Sequence, residues 1–156
     1  MPDPALIARI APAGAWTGDA ADMVVLDHDG RHRRRIVLTG LSGARYLLDL
    51  AEAAHLRDGD GLELAAGGVV QVVAKAEPLL EVTAQSAAEL IRLAWHIGNR
   101  HLAAQVEDDR ILIRRDHVIA DMLARQGARV REIEAPFDPE GGAYHEHSPG
   151  GHGHAH

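Results

Sequence analysis

The chain has 156 residues and a formal net charge of −7, with 16 Lys and Arg against 23 Asp and Glu, 11 His and no Cys. The absence of cysteine excludes a disulfide framework, a thiolate zinc site, an iron–sulfur cluster and a Cys nucleophile. The acidic balance lacks the basic footprint of a nucleic-acid binder, and no apolar run approaches the roughly 20 residues of a membrane span. The opening residues, MPDPALIARIAPAG, carry prolines and an acid where a leader needs a long apolar run. The sequence therefore predicts a soluble, cytoplasmic protein with no nucleic-acid or membrane partner. Aromatics are 3% of the chain and apolar residues 46%, so its cores must be aliphatic.

Residues 1–75 read as a small all-β domain. Met23-Val24-Val25-Leu26 is a short apolar run ended by the turn composition Asp27-His28-Asp29-Gly30. Arg31–Thr39 passes from basic to β-branched, and Arg45–Leu50 is a further strand, with one helical turn expected over 50–55. Asp58-Gly59-Asp60-Gly61 is a turn before Leu62-Glu63-Leu64, and Gly67-Gly68 separates that strand from Val69–Val73. The basic run Arg31-His32-Arg33-Arg34-Arg35 is expected as a solvated edge strand, and His28, His32 and His55 as surface residues. Trp16, Tyr46, Trp95, Phe137 and Tyr144 are expected to pack rather than form a binding platform, with Trp95, beside His96, supporting the interface between copies. Gly40-Leu41-Ser42-Gly43 faintly suggests a phosphate loop but lacks the Gly-Lys-Ser/Thr ending.

Residues 76–137 have a different rhythm. Glu77–Thr83 reads as a strand. Ser86 with Glu89 three residues on fits a capping box, and Leu90, Leu93, Ala94 and Ile97 then form one apolar helical face. Residues 103–107 and 110–115 make a hairpin around Asp108-Asp109. Asp116 caps a second helix with Val118, Ile119, Met122 and Leu123 on one face and Gly127 as its stop. Arg129–Ile133 alternates as a strand. The fold class is α+β: a small all-β domain, then the ferredoxin-like order βαββαβ. Residues 138–156 are rich in Gly, Pro and His without apolar periodicity, and the sequence predicts a disordered tail.

Histidine carries the chemistry. His145, His147, His152, His154 and His156 recur mostly two apart, and several imidazoles on a mobile chain can close around one Ni²⁺, Zn²⁺ or Cu²⁺ ion. Upstream, His96 and His101 are five apart, about 500° around a helix, so they do not share a face as the histidines of H-E-x-x-H do. Gly98 and Asn99 are poor helix formers, so the helix should end there. From spacing alone His101 is open to two roles, a helix-end partner or a metal ligand. His117 opens the second helix behind the cap Asp116, where the positive dipole end disfavours an imidazolium and leaves a neutral ring open to a metal or simply exposed at a helix start.

The segments HIGNRHLAAQ, RDHVIADMLARQGARV and EAPFDPEGGAYH with its His-rich tail closely resemble the C-terminal part of UreE, the urease accessory metallochaperone family. LRDGDGLEL and AKAEPLLEV resemble the family's N-terminal domain and its join. The resemblance covers most of the chain and is strongest over 95–144. It implies an N-terminal β domain likened to a peptide-binding module, and a ferredoxin-like metal-binding domain through which two copies form a homodimer. It implies delivery of Ni²⁺ to an apo-urease activation complex containing an accessory GTPase. The histidine of GNRH maps onto His101, the family's central ligand, one from each subunit. That of DHV maps onto His117, a secondary site in some members, and the tail histidines correspond to auxiliary ligands. Some members carry another His where this chain has Arg115, which weakens the case for a separate site near His117. The competing expectation is a His-rich storage or zinc-buffering protein without a client. A metallohydrolase is disfavoured, since no Glu or Asp stands at zinc-enzyme spacing and no nucleophile constellation appears; the protein is expected not to be an enzyme.

Overall fold

Short apolar runs with alternating burial build the first part of the chain. In a computed structural model, which describes residues 2–141, these runs are β1 (Ala5–Ala11), β2 (Asp22–Leu26), β3 (His32–Thr39), β4 (Arg45–His55), β5 (Gly61–Leu64) and β6 (Val69–Ala74). They form a six-stranded sheet in the order β2-β6-β5-β1-β4-β3. Pairs β1–β4 and β2–β6 are parallel; β1–β5, β5–β6 and β3–β4 are antiparallel. The sheet is curled: the Leu41 N–H after β3 donates to the Met23 carbonyl of β2 at 2.9 Å, joining its two ends. Side chains two apart, such as Tyr46 and Leu48, or Val70 and Val72, enter one core with Ile7, Val24, Leu38, Leu56 and Leu62.

Two expectations for this region are corrected. Residues 50–55 are not a helical turn; β4 runs on to His55. Ala and Glu favour a helix locally, but the antiparallel partner supplies the ladder, with Arg33 opposite Ala54 and His32 opposite His55 beyond a register shift between Arg33 and Arg35. The basic run is also not uniformly solvated. Arg33, Arg34 and Arg35 are exposed on edge strand β3, whereas Arg31 is 1% exposed. Strand β1 had no counterpart in the sequence reading.

The rest of the described chain is β7 (Ala76–Thr83), α1 (Ala87–Asn99), β8 (Ala104–Val106), β9 (Ile111–Arg114), α2 (His117–Arg125) and β10 (Arg129–Pro136). The order βαββαβ and the sheet order β10-β7-β9-β8 give the ferredoxin-like arrangement. Leu80 and Val82 of β7 and Ile111 and Ile113 of β9 meet Leu90, Leu93 and Ile97 of α1 and Leu123 of α2. Ser86 caps α1, accepting the Glu89 N–H at 3.2 Å; the Glu89 carboxylate reaches back to the Gln85 N–H, one residue before the cap. On α2, Val118 departs from the expected apolar face and is 62% exposed, while Leu123 is buried and Ile119 and Met122 are partly so.

By contacts the chain divides into one unit that runs to Glu77 and takes in Glu134–Phe137, and a second comprising Pro78–Ile133 and continuing from Asp138. No helix among the described residues is long and apolar enough to cross a membrane.

Candidate metal centre

Two helices of the second unit end in the same hydrogen-bond pattern. At the end of α2 the Gly127 N–H donates to the Ala124 carbonyl and the Ala128 N–H to the Leu123 carbonyl, at 3.0 and 3.1 Å. At the end of α1 the His101 N–H donates to the Gly98 carbonyl and the Leu102 N–H to the Ile97 carbonyl, at 3.0 and 3.3 Å. Both are the helix stop whose turning residue takes the left-handed conformation, a place glycine fills at least cost. Gly127 has φ 91°, as the motif requires. His101 has φ 60° and is the one non-glycine residue with positive φ among those described. A side chain that local conformation disfavours thus stands where the helix turns away, and it is exposed.

His101 lines a groove of about 320 Å³ with Leu102, Ile113, Arg115, Asp116 and Ile119. His117, the first residue of α2, lines a second groove of about 450 Å³ with Arg100, Val118, Ile119, Met122 and Arg125. Ile119 borders both, so the fold brings the two sequence-predicted histidines to neighbouring grooves without placing them in one. Asp116 fixes the start of α2: one carboxylate oxygen accepts the N–H groups of Val118 and Ile119 at 2.9 and 3.2 Å. Arg115 is a structural clamp here. Its guanidinium donates to the Leu79 carbonyl of β7 at 3.2 Å and the Ile133 carbonyl of β10 at 2.9 Å.

Among the described residues, no group of three His, Asp or Glu side chains is arranged to hold a metal ion. His145, His147, His152, His154 and His156 lie outside the described residues, as does the expected disorder of the tail beyond residue 141. Helix α1 presents an apolar strip: Ile91 and Trp95, one turn apart, are 69% and 64% exposed. Trp95 stands beside His96, with ring centroids 5.2 Å apart, exposed in the single chain. Phe137 and Tyr46 are buried as expected.

The first unit holds a histidine cluster that the sequence did not disclose. His28 is 5% exposed, and His32 and His55 are half-buried rather than on the surface. The only sequence signal for it is His32 and His55 at opposite ends of two strands that pair. The Gly40–Gly43 segment is no phosphate loop. The Ser42 hydroxyl and N–H both donate to the Asp22 carboxylate, at 2.6 and 3.1 Å, and the Gly40 backbone packs so closely on the Asp22 side chain that a Cβ there would clash with its Oδ2.

The chain matches two family models end to end. Residues 6–75 match the UreE urease accessory protein, N-terminal domain, and residues 77–156 the UreE urease accessory protein, C-terminal domain. A urease accessory protein UreE of Bradyrhizobium sp. strain BTAi1 is 57% identical over 140 residues, 90% of this chain and 68% of the relative. One from Ruegeria sp. strain TM1040 is 52% identical over 157 residues, the whole of this chain and 84% of the relative. One from Beijerinckia indica is 50% identical over 146 residues, 89% of this chain and 84% of the relative.

Proposed function

This chain belongs to the UreE urease accessory protein family, and from that premise we propose that it carries Ni²⁺ to the apo-urease activation complex, with His101 as its central ligand. The accessory role in urease maturation comes with the family; the protein acts as a chaperone, not a catalyst. The observation that supports His101 is its left-handed helix stop, a glycine position held by an exposed imidazole. A feature that costs conformational energy at a surface position, with no core to fill, is best accounted for by a ligand role.

One imidazole does not hold Ni²⁺. Two copies joined through the ferredoxin-like domain present two His101 side chains, and the exposed Ile91 and Trp95 on α1 suit such a contact. Residues 138–156 complete the coordination with imidazoles of His145, His147, His152, His154 and His156, while 76–137 hold the interface ligand and 1–75 form the accessory β domain. A Gly-rich stretch of about 12 residues spans roughly 20 Å, enough for tails of both copies to visit a shared site. Ligands that must be ordered on binding make a weaker site than a rigid cage, which suits a protein that releases its cargo. His117 is an auxiliary ligand, weakened by the loss of a histidine partner at Arg115. Zn²⁺ and Cu²⁺ compete for the same imidazoles, since affinity order alone does not select Ni²⁺. The client side is the urease accessory GTPase with apo-urease, in the cytoplasm.

Calorimetry with Ni²⁺ on the intact chain, on His101→Ala and on a chain ending at Tyr144 tests this. The expected result is that His101→Ala removes the tightest site while truncation mainly lowers the number of ions bound. Tight binding that survives His101→Ala and disappears on truncation would identify a tail-based metal store instead.

A further inference from the structure

Three histidines meet inside the first unit. The His28 and His55 ring centroids are 5.5 Å apart, edge to face; His32 and His55 are stacked at 5.6 Å; His28 and His32 are 6.4 Å apart. His32 and His55 face each other across the β3–β4 ladder, and His28 comes from the turn before β3. The same place seizes a distant part of the chain. Phe137 is fully buried, its ring 5.8 Å from that of His28. Its carbonyl accepts a 2.5 Å hydrogen bond from the buried Arg31 guanidinium, which also donates to the Leu26 and Leu56 carbonyls at 3.3 and 3.4 Å. Glu134–Phe137 accordingly groups with the first unit although β10 is a strand of the second sheet.

We infer that the packing of Phe137 against His28, His32, His55 and Arg31 is a proton-sensitive latch, closed while the imidazoles are neutral and opened when they charge. The charges around it set the direction. Arg31 is already cationic and buried. Its guanidinium is satisfied by three carbonyls, none of which carries a counter-charge. One carboxylate lies beside the His28 ring and another holds its backbone. Asp29 lies 3.4 Å from its Nδ1 with a side chain 75% exposed, so water weakens its pull, and Glu77 of β7 accepts the His28 backbone N–H at 2.9 Å. The Asp27 carboxylate is engaged by the Gly30 N–H, and Glu134 enters with the captured segment. His28 itself is only 5% exposed, so burial disfavours a charge on its ring. Further imidazolium charges within about 6 Å of the first, beside a buried guanidinium, repel one another, and opening to water relieves that repulsion. Histidine makes this transition between about pH 8 and 5. Opening frees Phe137 and with it the segment that leads to the histidine-bearing end of the chain.

Amide hydrogen exchange on the full chain at about pH 7.5 and 5.5, corrected for intrinsic rates, reads the latch directly. Opening that takes up one net proton shifts its equilibrium about tenfold per pH unit. Protection at residues 134–137 should therefore fall by at least about tenfold over this range while that of β7 and β9 holds. In His32→Gln, which removes one of the two half-buried members, the loss should shrink; in His28→Asn/His55→Gln it should vanish. NMR titration of the three imidazoles in the unmodified chain gives a second measure: their transitions should coincide with the shift of the Phe137 signals. Protection at 134–137 that is equal at both pH values, or Phe137 signals that do not follow the imidazoles, would overturn the latch.

Discussion

His101 shows how a single backbone angle sets one side chain apart from every other described non-glycine residue. The two helix stops of the second unit share one geometry, and Gly127 meets it without a side chain to strain. If His101 is retained for its imidazole, His101→Gly should leave the metal-free protein at least as stable as the parent, and about 1 kcal/mol more stable than His101→Ala. Thermal melts of the three metal-free proteins measure this, and an Ala variant as stable as the Gly variant would remove strain from the account. Asp22 makes a second case at this scale. Desolvation works to raise its pKa, but the Ser42 and Tyr46 hydroxyls, both at 2.6 Å, and the Met23 and Ser42 N–H groups outweigh it and hold the carboxyl at about 2, against an ordinary 3.8. A carboxyl whose pKa is lowered by folding contributes stability that is present above its ordinary value and is lost as pH falls toward the folded value. Stability should therefore drop between about pH 4 and 2, and Asp22→Asn should flatten that part of a pH series of melting temperatures.

The helices are the elements whose local chemistry is most explicit. Ser86 and Asp116 both accept N–H groups that the first turn would otherwise leave unsatisfied. Asp116→Ala should cost about 1 kcal/mol and loosen the start of α2, where His117 stands, leaving α1 intact; thermal unfolding and exchange at Val118 and Ile119 report it. These caps were legible because Ser, Asp and Glu at set offsets from an apolar repeat encode them within one turn. The strands were less so. The LAEAAH end of β4 prefers a helix by composition, and it is a strand because β3 lies alongside with unpaired backbone to share. Val118 has the right spacing for the α2 core face yet is exposed. Helix N-termini project beyond the sheet they cover, and periodicity says which side faces inward, not how far the partner surface extends.

At the scale of the molecule, an imidazole site should yield to protons. Ni²⁺ affinity is expected to fall steeply below about pH 6, since each ligand must be neutral to bind; a calorimetric series over pH checks it, and affinity unchanged at pH 5 would point to carboxylate ligands. The α+β class, the βαββαβ order of the second unit and the family were legible in residues read in order, whereas β1 was not, and His101 and His117 were singled out as ligands by the family resemblance rather than by spacing. Caps, turns and apolar periods are set by neighbours within a few positions, and the motif around GNRH is continuous. What only the tertiary structure decided depends on residues far apart. Arg31 is buried because a carbonyl 106 residues away accepts its hydrogen bond. The histidine cluster exists because the strand pairing of β3 and β4 brings His32 opposite His55. His101 takes a positive φ because the chain must turn from α1 into β8 at that residue. Such features arise from strand register and chain path, which a linear pattern constrains only weakly, and they decide which polar side chains are buried and which are presented.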